Sequence, residues 1–91
     1  MHHVLIKDGK GARIGTKETT LKTGGKMAAR ALGCKLPDLH VLGYQLPDGR
    51  KSFYWFDASA NADGAAYFKK SLGDIGKLFM NCRPKLFQKG G

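Results

Sequence analysis

The sequence predicts an α+β domain: a mainly antiparallel sheet of two β-hairpins with two helices packed on one face, in the order ββ-α-ββ-α, with a C-terminal segment open to forming a short strand. Three observations carry this reading. Two turn signals, Asp8-Gly9-Lys10-Gly11 and Pro47-Asp48-Gly49-Arg50, each separate strand-like runs. An Ala-rich segment of good helix formers, Lys26 to Leu32, stands between them. After the second hairpin, apolar side chains recur at helical spacing.

In chain order, His3 to Lys7 reads as a short strand, and the following turn offers glycines for the positive φ of a tight hairpin. The partner strand runs roughly Ala12 to Leu21, weakened by Gly15 but favoured by Thr16, Thr19 and Thr20, whose β-branched side chains suit a pleated surface. Thr23 is placed to cap the first helix, because its hydroxyl can accept from free N–H groups of the next turn; Gly33 ends that helix. Beyond Pro37-Asp38, Leu39 to Leu46 and Lys51 to Asp57 flank the Pro-Asp-Gly-Arg turn, the clearest hairpin signal in the chain.

Ala65, Phe68, Leu72, Ile75, Phe79, Cys82 and Leu86 alternate spacings of 3 and 4, which places them on one helical face and predicts a core stripe. Gly73 and Gly76 each cost a helix about 1 kcal/mol relative to Ala, so a kink is expected there, or a break with Asp74 capping a second piece. Arg83-Pro84 ends the element. Lys85 to Lys89 then forms a strand or a tail, and in that case Leu86 leaves the stripe.

Ninety-one residues bury only about 60 to 65% of the surface exposed by the unfolded chain, enough for one core, so residues 1–91 are expected to form one domain with loose ends near 1–2 and 88–91. No function is placed on His2 and His3. No apolar run approaches 18 residues, and the charged Lys7 and Asp8 do not fit a signal peptide, so no membrane span is expected and a cytoplasmic location is, with Cys34 and Cys82 as thiols.

Charge is the strongest clue to function. The formal net charge is +9, and it is uneven: residues 1–35 hold eight basic and two acidic side chains, 36–68 hold two and four, and 69–91 hold six and one. Two basic segments around a mildly acidic middle can merge into one positive face that attracts anionic partners. Lys22, Lys26 and Arg30 stack at i, i+4 and i+8 with no interleaved Glu to relieve their repulsion, a row that fits phosphates as well as it fits a solvated helix face. Lys10, Arg13 and Lys17 add to the same half.

Other motifs are weaker. Thr23-Gly24-Gly25-Lys26 at a helix start resembles an anion nest but lacks the spacing of a nucleotide-binding loop. Strand alternation across Phe53-Tyr54-Trp55-Phe56 sends one pair of rings to each face, leaving Tyr54 and Phe56 as candidates for stacking on bases. Ser59-Ala60-Asn61-Ala62-Asp63-Gly64 echoes a calcium loop, yet Lys70 stands where a bidentate Glu is required, so Ser59, Asn61 and Asp63 read as helix caps. Cys34, His40 and Cys82 match no standard metal spacing, and no nucleophile has a base nearby in sequence. Neither a metal, nor a cofactor, nor catalysis is expected.

The layout over about 12–57, a strand, then Thr23 opening an Ala/Lys/Arg helix through Gly33, then the hairpin Leu39 to Asp57, resembles small phage-encoded inhibitors, including some anti-CRISPR proteins. The resemblance is one of pattern and transfers no functional residue. It implies a phage or mobile-element origin. Many anti-CRISPR proteins are acidic mimics of nucleic acid, and the +9 here departs from that mode. Two functions are therefore expected in parallel: a basic module that docks on nucleic acid or a nucleoprotein complex, and an inhibitor that engages an acidic host protein.

Overall fold

The computed structural model describes residues 4–15 and 21–82. Its first hairpin joins β1 (Val4–Lys7) to β2 (Ala12–Gly15), with Val4 opposite Gly15 and Lys7 opposite Ala12. Asp8 builds the turn: its carboxylate accepts from the N–H groups of Lys10 and Gly11 at 2.9 and 2.8 Å. The positive φ expected of these glycines is absent, since among the described residues only Gly33, Gly49 and Gly73 adopt it. Gly11 is needed for a different reason. A Cβ there would collide with the Trp55 carbonyl and come within 2.7 Å of the Tyr54 ring. Residues 16–20, the expected continuation of this strand, lie outside the described residues.

Helix α1 (Leu21–Leu32) begins before Thr23, so Thr23 is a first-turn residue rather than the cap, and Gly24 and Gly25 are buried inside the helix. Ala28 and Ala29 are buried beside them, and this run of small side chains lets the helix lie close to the sheet. Gly33, at φ 71°, turns the chain, and the Cys34 N–H donates to Ala29 O at 3.0 Å, closing the helix end. A short 3-10 turn, Leu36–Asp38, leads into the second hairpin.

That hairpin pairs β3 (Leu39–Gln45) with β4 (Lys51–Asp57) along their whole length, Leu39 opposite Asp57 and Gln45 opposite Lys51. Leu46 and Arg50 close the turn at 2.8 Å, and Gly49 takes φ 93°, as the Pro-Asp-Gly-Arg signal predicts.

The C-terminal third departs from the sequence reading. Helix α2 (Gly64–Leu72) stops after two turns and a half, Gly73 reverses the chain at φ 52°, and β5 (Lys77–Cys82) pairs antiparallel with β3. Phe68 and Leu72 are buried as expected, but Ile75 lies in the connecting loop, 60% exposed, and Phe79 and Cys82 belong to a strand. Two glycines within four residues weaken helix continuation by about 2 kcal/mol, and the open edge of β3 offers ladder hydrogen bonds in its place. Asp63 precedes α2 without a side-chain capping bond; its carboxylate faces Lys10 instead. Arg83, Pro84 and the segment from Lys85 to Lys89 lie outside the described residues.

The five strands form one antiparallel sheet in the order β1-β2-β4-β3-β5. The helices lie on opposite faces of it, not on one. On one face α1 contributes Ala28 and Ala29 to a core with Ile14, Leu39, Val41 and Trp55; on the other α2 contributes Phe68 and Leu72 to a core with Leu42, Tyr44, Tyr54 and Phe56. The reason is in β4. Its four consecutive aromatic residues alternate faces, so large apolar surface needs cover on both sides.

Candidate basic and aromatic surface

Lys26 and Arg30 sit four residues apart on α1, opposite its buried face, and both are exposed. Lys22 lies one turn earlier on the same line of the helix; its side chain is outside the described residues, as is Lys17. A groove of about 360 Å3 runs between α1 and β1, with Leu5, Met27 and Ala31 as its apolar floor and Lys26, Arg30 and Thr23 along it. Among the described residues the ion pairs are Lys10 with Asp63 at 3.3 Å and Arg50 with Asp48 at 2.6 Å, and neither involves Lys26 or Arg30. Lys7 contributes differently. Its Nζ donates to Ala31 O at 2.9 Å, placing a cation against the negative end of the helix dipole.

The structure divides the other expected cations. Lys10 is tied to Asp63 at the start of α2, and Arg13, opposite Tyr54 in the β2–β4 ladder, points to the α2 side of the sheet. The basic residues of the first half therefore do not form one patch: strand alternation sends Arg13 through the sheet from Lys26 and Arg30. The anion nest is likewise overturned, because Gly24 and Gly25 are buried inside α1.

Tyr54 and Phe56 do not offer a stacking face. Tyr54 is fully buried and Phe56 is 4% exposed; Tyr54 stacks internally on Phe68, centroids 4.2 Å apart with planes 11° from parallel. Burial, followed by the nearby charge of Asp8, raises the Tyr54 phenol well above its ordinary value, and its hydroxyl donates to the Asp8 carboxylate at 3.2 Å. An exposed ring on the α1 side lies elsewhere. Phe79 is 45% exposed, packs edge-on against Phe53 at 6.2 Å, and has Lys51 Nζ 5.5 Å from its centroid. Phe53 joins the α1-side core, so Phe79, Lys51, Lys26 and Arg30 share one side of the sheet. Assigning Phe79 to a helical stripe hid it; the apolar run Leu78-Phe79-Met80 just after Gly76 is the strand signal that reveals it.

Cys34 packs against the α1-side core while the His40 ring rests on Phe56, 5.6 Å away, on the other face, so the sheet separates this thiol from this imidazole. Burial first, then the charges of Asp57 and Asp38, push the Cys34 thiol upward, which favours its protonated form. Among the described residues there is no group of three or more His, Cys, Asp or Glu side chains placed to hold a metal ion, and no helix is long and apolar enough to cross a membrane. No protein-family model matches the chain, and no curated protein or solved structure matches it.

Proposed function

We propose that this protein is a small non-enzymatic binding module that docks on nucleic acid, free or within a nucleoprotein complex, through the basic side chains of α1. The observation that carries the proposal is the exposed pair Lys26 and Arg30, continued by the Lys22 position, with no carboxylate among the described residues paired to Lys26 or Arg30. Lysines and arginines in such a line gain affinity by releasing the counterions condensed on a phosphate backbone. Lys51 and the half-exposed Phe79 extend this side of the sheet with a cation and a ring able to stack on an unpaired base. A phage-encoded inhibitor acting in a host cytoplasm is consistent with such a surface, and its positive charge would then attach it to the nucleic acid of its target.

The apolar floor of the α1–β1 groove, Leu5, Met27 and Ala31, favours a second reading in which an acidic host protein is the partner. One experiment separates the two. The variant Lys22→Ala, Lys26→Ala, Arg30→Ala is compared with the parent for binding to a short duplex across a salt series. Under the nucleic-acid reading the slope of log affinity against log salt falls by roughly 2 to 3, since each phosphate contact contributes about 0.9. Under the protein reading the parent has negligible affinity for free nucleic acid, and the variant loses capture of a partner that survives nuclease treatment. A variant that equals the parent in both assays makes the row a solvated helix face and overturns the proposal.

A further inference from the structure

On the face opposite α1, helix α2 covers β3 and β4 and leaves a cleft toward β1 and β2. Two hollows of about 300 and 280 Å3 meet there, one reaching Tyr67, Ser71 and Ile75 and the other Ile6, Arg50 and Ser52. Both are lined by Arg13, Tyr44 and Leu46, so Arg13 stands where they join. Its Nε is buried without a hydrogen-bond acceptor, and among the described residues no carboxylate lies within ion-pair distance of its guanidinium. Asp8, which lines the same cleft, is already engaged by two backbone N–H groups and the Tyr54 hydroxyl. Arg50 is engaged by Asp48.

A guanidinium remains charged at any physiological pH, and a buried donor left unsatisfied on a charged group opposes folding. An apolar side chain of similar volume removes the cost of that unsatisfied Nε–H. The walls are also unfinished: Ile6 is 47%, Ile75 60% and Tyr67 38% exposed around the cation. A guanidinium without an ion-pair partner, lining a cleft between apolar and aromatic walls, matches a ligand with a compact oxyanion at one end and a flat apolar body.

We propose that this cleft binds a small organic anion, its phosphate or carboxylate group on Arg13 and its apolar body against Tyr44, Leu46 and Ile75. The site is independent of the nucleic-acid reading, because the sheet lies between it and α1. The test follows the Arg13 Nε–H signal of the full chain by NMR during titration, at constant ionic strength, with phenyl phosphate, benzoate and inorganic phosphate. Saturable shifts at Arg13 Nε–H, Tyr44 and Leu46 are expected with at least one organic probe. Inorganic phosphate alone should bind at least tenfold more weakly, having no body to bury, and the two organic probes distinguish a phosphate ester from a carboxylate. Arg13→Met should weaken the better probe tenfold or more and, freed of the unsatisfied charge, unfold at a higher temperature than the ligand-free parent. Arg13→Lys, which keeps the charge and loses the fork, should also bind tenfold more weakly, and serves if the methionine variant does not fold. The salt slope for duplex binding should be the same in these variants as in the parent. The proposal is overturned if neither organic probe moves the Arg13 signal, if inorganic phosphate binds as well as both, or if a folded Arg13 variant retains full affinity.

Discussion

At the residue scale, the centre of the α2-side core is the Tyr54–Phe68 stack, with Tyr44 also against Phe68 at 4.9 Å. Phe68 is 4% exposed, so Phe68→Ala removes a buried ring and leaves a cavity between helix and sheet. A loss of about 3 to 5 kcal/mol is expected by denaturant titration; a loss below roughly 1 kcal/mol would show that α2 does not hold this ring against the sheet. Tyr54 adds a pH signature. Its phenol is raised from 10.0 by burial and then by Asp8, so the native state holds this proton more tightly than the unfolded chain. The stability from this difference is complete below the ordinary value of 10.0 and is lost as pH rises from there through the raised native value. Urea midpoints should therefore fall more steeply above pH 10 in the parent than in Tyr54→Phe, and parallel curves would contradict the burial of this hydroxyl.

At the element scale, α2 and β5 are separated by four residues, and the separation depends on Gly73. At φ 52° and ψ −127° this backbone conformation is one that side chains with a Cβ rarely adopt. Gly73→Ala should cost more than about 1 kcal/mol although a Cβ there meets no atom closer than 3.9 Å, because the penalty is conformational rather than steric. An unchanged denaturation midpoint would mean that the chain leaves α2 by another route. Gly76 works by close approach: a Cβ there would stand 2.8 Å from Gln45 O and 3.2 Å from Leu72, where the loop passes between sheet and helix.

For the whole molecule, two cores on opposite sides of one sheet share β3 and β4, so neither helix can leave without uncovering strands that the other needs. The chain carries its own probes of this coupling. Trp55, the single tryptophan, is fully buried on the α1 side, whereas Tyr44 and Tyr54 belong to the α2-side core. Tryptophan fluorescence and tyrosine near-ultraviolet signals should report coincident transitions in a urea titration. Separated midpoints would show that one helix opens on its own, and the two faces of the sheet would then differ in stability.

Much of this architecture was legible in the chain because its signals are local. Asp48-Gly49 dictates the β3–β4 turn within a few residues, Asp8 closes the first turn with its own carboxylate, and Gly33 ends α1 by adopting a conformation other residues avoid. The charge of +9 and the exposed spacing of Lys26 and Arg30 were equally visible, since i, i+4 placement needs only the helix. Contacts between residues distant in sequence decided the rest. Phe53 to Phe56 present aromatic rings to both faces, and alternation alone does not say which helix takes which. The free edge of β3 drew Lys77–Cys82 out of a helical pattern that its spacing satisfied almost as well. That choice exposed Phe79 on the α1 side of the sheet, while the pairing of Arg13 with Tyr54 placed its guanidinium in a cleft on the other side. Periodicity gives a residue its face relative to its own element; only the packing of elements decides what that face meets.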